Sequence, residues 1–251
     1  MKNSILSLIS LLLMTAIPVY AGQTEGTDPE KKKVGISFGT DLVSSYIWRG
    51  SYNAGVSLQP FITLKSGGFS LTGWGSVDFA ASDYKEADIT AAYSVAGFTF
   101  TVADYYWTGA PNESTMPPRN YFHFGKDTPH MLETGVSYCF GEKFPVTVSW
   151  YTMVAGHDKD TETGKRSYST YAEVSYPFAV RTVDMSAWVG FTPWKSPNMY
   201  GTTGFAVCNV GVGASKAIRF SESFSLPVFT RLIWNPAKED VHFVGGFSIA
   251  L

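Results

Sequence analysis

The chain of 251 residues is 45% hydrophobic and 16% aromatic, yet only 16% charged, with 24 Gly among its residues. So little charge beside so many rings excludes long intrinsic disorder, and 19 Lys+Arg against 21 Asp+Glu, net −2, leaves no basic footprint for nucleic acid. Two cysteines cannot build the disulfide framework of a small secreted domain.

The first segment reads as a signal. Lys2 precedes an apolar run from Ile5 to Ile17, and Pro18 with Val19-Tyr20-Ala21 forms a small-residue cleavage site, so residues 1–21 are predicted to be a secretory signal peptide. The run is too short for a permanent membrane helix, and Gly22 stands where a lipoprotein would carry Cys. Residues 22–33 (GQTEGTDPEKKK) are polar and aperiodic and read as a flexible periplasmic tail.

From Val34 onward the periodicity is two. In Phe69-Ser-Leu71-Thr-Gly73-Trp-Gly75-Ser-Val77-Asp-Phe79 one face is apolar or Gly and the other carries Ser70, Thr72, Trp74, Ser76 and Asp78. The same alternation places strands near 34–48, 55–65, 69–79, 86–96, 98–107, 131–140, 144–154, 167–178, 181–193, 203–215, 223–234 and 241–251. Connections after the second, fourth, sixth and eighth strands are tight: Ser66-Gly67-Gly68, Gly97, Gly141-Glu142-Lys143 and Ala179-Val180. Those after the third, fifth, seventh and ninth are longer and polar, with Thr108 to His130 the longest and Gly156 to Arg166 the most charged. Short turns at one end and long loops at the other are the habit of a bacterial outer-membrane barrel. Roughly 18 residues per strand and connection suffice for strands of about 9–11 residues that cross a bilayer. A sheet can cross only by closing on itself, because lipid leaves no partner for a free edge.

The aromatics agree with this reading. Phe69, Phe98, Phe140, Phe144, Phe178, Phe220 and Phe224 mark the short-turn end, and Trp48, Tyr106, Trp107, Trp194 and Trp234 mark the long-loop end, as two interfacial belts. The predicted fold is all-β: residues 34–251 form a transmembrane up-and-down antiparallel β-barrel of about 12 strands, in the outer membrane of a Gram-negative cell.

With the apolar parity toward lipid, the opposite parity faces the lumen. It includes Asp41, Arg49, Gln59, Trp74, Asp78, Asp88, Glu133, Tyr151, Tyr171, Glu173, Asp184, Trp188 and Arg231. Six acids against two bases would favour cations in a water-filled lumen, and the inner rings could stack on flat polar solutes. The alternative is a structural or surface-interaction barrel whose inner charges pair and which presents its outer loops to a partner. A third reading, a lipid-modifying enzyme, finds little support: His123, His130, His157 and His242 show no nucleophile or metal-ligand spacing. Cys139 falls on the inner parity and Cys208 on an ambiguous one, so a disulfide and two free thiols both stay open. Asn112-Glu113-Ser114 matches a glycosylation sequon by spacing alone.

The most specific stretch is Asp41-Leu-Val-Ser-Ser-Tyr46-Ile-Trp-Arg49-Gly50, followed by Gln59-Pro60. Its Ser44-x-Tyr46-x-x-Arg49-Gly50 resembles the first hairpin of the TorF-type porin family, bacterial outer-membrane barrels in which a Gln follows shortly afterwards. The resemblance covers about 30 residues and is architectural beyond them. It implies a channel for small solutes. Gly50 is expected to end the first strand where Trp48 sits at the interface, with Arg49 fixing the hairpin or bonding acidic groups and lipopolysaccharide phosphates. The terminal Leu251 departs from the aromatic that usually closes such chains. The expected function is passive passage of small hydrophilic solutes with weak cation preference. The expected surroundings are outer-membrane lipid and lipopolysaccharide, with no cofactor, metal, nucleic acid or enzymatic role.

Overall fold

A computed structural model describes residues 34–79, 83–108, 120–125, 127–222 and 224–250. The signal segment, the tail, the Asn112 sequon and Leu251 lie outside the described residues.

Strand β1 (Gly35–Val43) leads into a short hairpin of β2 (Tyr46–Trp48) and β3 (Ser51–Ala54). Then come β4 (Ser57–Ser66), β5 (Phe69–Asp78), β6 (Lys85–Val95), β7 (Phe98–Tyr105), β8 (Trp107–Thr108), β9 (Met131–Cys139) and β10 (Thr147–Gly156). The chain continues through β11 (Thr170–Val180), β12 (Val183–Thr192), β13 (Ala206–Arg219), β14 (Ser225–Asn235) and β15 (Asp240–Ala250). Each long strand pairs antiparallel with its neighbours in sequence, and β15 returns to β1 with Ser248 opposite Asp41. With β7 and β8 as two pieces of one strand, the sheet closes as a 12-strand antiparallel barrel. Among the described residues, closure leaves no free edge in the 12-strand sheet.

Alternation decides what each wall shows. Ile36, Phe38, Ile62, Leu64, Val102, Val136, Val174, Val189, Leu232 and Ile249 stand exposed on the outside. Their neighbours in sequence, among them Asp41, Gln59, Thr63, Thr101, Ser137, Ser175 and Ser248, are buried on the inside. Phe69, Phe98, Phe140, Phe144, Phe220 and Phe224 are exposed at the short-turn end, while Trp150, Trp194 and Trp234 are exposed toward the long-loop end. The tight turns use positive φ where strand twist demands it, as at Ala96-Gly97 (φ 50° and 85°).

Four expectations need correction. The first strand ends at Val43, not near residue 48, because the chain turns inward at Ser44-Ser45 and forms β2 and β3. Trp48 therefore belongs to the interior, stacked on Tyr200 at 5.8 Å between ring centroids, and not to an interfacial belt. Trp107 likewise packs against the buried groups around Trp74 and Tyr105. Ala179 and Val180 stay in β11, and the turn falls two residues later, at residues 181–182, where Arg181 takes φ 56°. Both cysteines are free: Cys139 ends β9 and Cys208 is buried near the start of β13.

Candidate functional site

Residues 44–56 do not leave the barrel. The β2–β3 hairpin turns on Arg49-Gly50, with φ 49° and 81°, so both central residues adopt the left-handed region that a two-residue hairpin turn requires. Glycine tolerates that region and arginine resists it by about 1–2 kcal/mol, so contacts at the tip must hold Arg49 there. Space dictates the glycine too: a Cβ on Gly50 would lie 2.0 Å from the Cys208 carbonyl oxygen. The Asn235 amide donates to the Gly50 carbonyl at 2.9 Å, and Lys238 Nζ donates to Ser51 Oγ at 3.1 Å. The base of the hairpin is wedged by two apolar clusters. Ile47 packs with Val43, Phe229, Ile233 and Val244 on one side, and Tyr46 and Ala54 pack with Trp74 and Tyr84 on the other.

The tip reaches β9, β10 and β11, the strands across the ring from its roots on β1 and β4. Arg49 Nη1 and Nη2 donate to Glu133 Oε1 and Oε2 at 2.6 and 2.8 Å, and Nη1 also donates to Tyr200 Oη at 2.7 Å. Tyr105 Oη donates to Glu133 Oε2 at 3.0 Å. The guanidinium carbon lies 4.5 Å from the Trp48 ring centre and 4.7 Å from those of Tyr151 and Tyr171. The Arg49 side chain is 10% exposed and Glu133 3%. Burial opposes the Arg49 charge, and the Glu133 carboxylate beside it supplies the counter-charge that burial demands.

Glycines in the wall make this cage. Gly135 pairs with Tyr151, and a Cβ there would come within 2.2 Å of the Tyr151 ring; a Cβ on Gly190 would meet the Tyr171 hydroxyl at 2.1 Å. Without those methyls each ring can lie against the wall and turn a face toward the tip. Tyr171 donates to Glu173 and accepts from Asn209 Nδ2 at 2.7 Å, and Trp188 Nε1 donates to Asn209 Oδ1 at 3.0 Å. A second acidic group faces inward beside the hairpin root. Tyr84 Oη donates to Glu86 Oε2 at 2.7 Å, and the Tyr106 N–H donates to Asp88 Oδ1 at 3.3 Å.

The residues singled out from the sequence all sit on the inward parity or in the hairpin, but not in one place. Arg49 and Glu133 meet in the tip layer, and Glu173 joins it through Tyr171, whose ring faces Arg49. Asp41 pairs in register with Gln59 and Ser248, and Arg231 supplies its opposing charge while lying over Phe229 at 5.0 Å. Trp74 and Asp88 are direct register partners by the root. Asp78 ends β5, half-buried, and Asp184 is exposed at the short-turn rim. Of the roles the sequence leaves open for Arg49, fixing the hairpin or bonding acidic groups or lipopolysaccharide phosphates, the structure shows its guanidinium bonded to an acid, Glu133, inside the barrel. Tyr105, Tyr200, Tyr84 and Glu86 escaped the sequence reading. Glu86 shares the parity of Asp88 and could have been found, whereas Tyr200 lies in a loop where no period applies.

Below the hairpin the inward positions change character. Ser37, Ser70, Thr72, Ser94, Thr99, Thr147, Ser186 and Ser215 are half-buried, and the lining there is built mainly from small polar residues and glycine.

His130, at the long-loop rim, has Nδ1 2.9 Å from Asp104 Oδ2 and Nε2 2.6 Å from the Tyr121 carbonyl oxygen, so its ring ties a loop down.

No family model matches the chain, and no curated relative matches it in sequence. Among solved structures it is similar to a triple mutant of the Rhodopseudomonas blastica porin, with a TM-score of 0.38 and 16% identity over 78% of this chain and 55% of that one. Another engineered Rh. blastica porin gives 0.40 and 16% over 87% and 73%. The KdgM porin in complex with disordered oligogalacturonate gives 0.44 and 8% over 86% and 95%. The chain thus spans about half the length of the first of these porins.

Proposed function

We propose that this chain is an outer-membrane channel for small hydrophilic solutes, with weak cation preference, whose passage is controlled where the β2–β3 hairpin crosses the lumen. The observation that carries the reading is the contrast between the two walls: an apolar exterior and, below the hairpin, an interior built mainly of Ser, Thr and Gly. Eight strands already make a barrel wide enough for side chains to fill, and diameter grows with strand number. Twelve strands lined by such small groups leave room for water. The TorF-type resemblance of Ser44 to Gly50 belongs to the same proposal, as do lipid and lipopolysaccharide as surroundings. Asp78, Asp88, Glu173 and Asp184 would line the route with Asp41, Gln59, Trp74 and Arg231, while Arg49 and Glu133 would close the hairpin layer.

Purified protein in a planar bilayer tests this. Discrete current steps are expected, with a reversal potential in a salt gradient that favours cations and moves toward zero in Asp78→Asn/Asp184→Asn. A second reading rests on the tip layer itself. Arg49 bound to Glu133 across the lumen also suits a non-conducting barrel that presents its long loops. Silence over many insertions, in both the wild type and Arg49→Ala, would establish that reading instead.

A further inference from the structure

The guanidinium of Arg49 is held by groups that belong almost entirely to the barrel and not to the hairpin. Glu133 accepts two parallel N–H bonds, Tyr200 accepts a third, and Tyr151 and Tyr171 present their faces at 4.7 Å. Only Trp48, at 4.5 Å, is the hairpin's own contribution. A carboxylate that takes the planar fork in bidentate fashion is selective for guanidinium over a point-charge ammonium. Aromatic faces add attraction for a desolvated cation. Tyr105 Oη, donating to Glu133 Oε2, orients the carboxylate from behind. The two-residue turn places Arg49, at φ 49°, on the very tip of the hairpin.

We propose that this cage is a binding site for guanidinium-bearing solutes, and that Arg49 occupies it as a tethered stand-in for the solute. Tethering gives Arg49 an effective concentration in the millimolar range or above, so free guanidinium competes poorly in the wild type and a solute must arrive concentrated, or find the hairpin displaced, to take the place. The site exists whether or not the barrel conducts. Its meaning for transport, entry of guanidinium solutes by exchange with Arg49, rests on the channel reading above.

Chemical rescue tests it. Arg49→Ala removes the part of the side chain that ethylguanidinium reproduces. In the full-length variant, about 10 mM ethylguanidinium should raise the melting temperature and cut the bilayer current at least twofold, effects that ethylurea at the same concentration should lack. The wild type should respond to roughly tenfold more probe or not at all. Arg49→Ala/Glu133→Gln should lose the response. If Arg49→Ala does not fold, Arg49→Gly, which relieves the positive φ, takes its place with propylguanidinium as probe. A melting shift in a variant silent in the bilayer supports the cage and removes the channel reading. Equal effects of ethylguanidinium and ethylurea, or an unchanged response in the double variant, would overturn the proposal.

Discussion

Glu133→Gln is the perturbation that most sharply isolates what holds the hairpin across the lumen. The substitution keeps the shape of the side chain but removes the charge that accepts Arg49 at 2.6 and 2.8 Å, with the two side chains 10% and 3% exposed. Breaking a buried pair by removing one partner costs about 3–5 kcal/mol, because the remaining charge is left without its counter-charge. The hairpin offers a way out of that cost: Arg49 can leave the layer and be hydrated. A change of that size would raise the ratio of displaced to seated hairpin by roughly two to three and a half powers of ten. The apolar wedges at Ile47 and Tyr46 stay in place in this variant, so the effect should concentrate at the tip. Hydrogen exchange of the protein in lipid vesicles reads it directly. Amides of the tip, residues 48–51, should exchange at least about a hundredfold faster in the variant, while those of the paired strands β12 to β14 stay unchanged. Equal protection of the hairpin in both proteins would refute the claim that the ion pair is the latch.

Other outcomes follow from the same geometry. Gly135→Ala places a methyl 2.2 Å from Tyr151 Cδ1 and 2.5 Å from Thr101 Oγ1, so it should cost about 1–3 kcal/mol and loosen the tip by turning the ring, read as a lower melting temperature and faster tip exchange. Ile47→Ala empties the wedge against Val43, Phe229, Ile233 and Val244 and should cost about 2–5 kcal/mol, measured by urea titration of the refolded protein. Val136→Arg puts a charge on the exposed apolar wall near the middle of β9 and should cost about 2–4 kcal/mol in lipid, whereas Ser215→Lys on the inner wall should be tolerated. Between two long loops, the Lys195 ammonium 2.9 Å from Asp160, helped by the Thr163 N–H, pulls the Asp160 carboxyl down to about 2. A depressed acid stabilises above its ordinary value and loses that contribution as pH falls through the folded one. The loop contact should therefore persist at pH 4 and fail only toward pH 2. An NMR titration of Asp160 with a midpoint near its ordinary 3.8 would show that the ion pair does not form.

Much of the barrel was legible because one physical rule repeats along every strand. Leu132, Val136 and Tyr138 against Glu133 and Ser137 identify both β9 and its faces, and tight turns after every second strand, all at one end, set the up-and-down order. The same rule misled at Tyr46-Ile47-Trp48. A hairpin that folds into a lumen must be apolar and aromatic to pack on the inner wall, so it continues the pattern of the strand it leaves. What distinguishes it is Arg49-Gly50, a turn signal followed closely by a β-former, Tyr52. Trp48 and Trp107 were assigned to the interface for a related reason. Sequence shows that a ring lies near a strand end, but not whether it turns outward to lipid or inward to a neighbour such as Tyr105. The Arg49–Glu133 pair joins residues 84 positions apart, and no local period could announce it.

The most direct test compares single-channel currents of the wild type with those of a variant in which residues 46–53 are replaced by a flexible Gly/Ser segment of equal length. A lumen closed chiefly by the hairpin should give discrete steps in both, several-fold larger in the variant. No current from either protein, with both refolded as closed barrels, would contradict it.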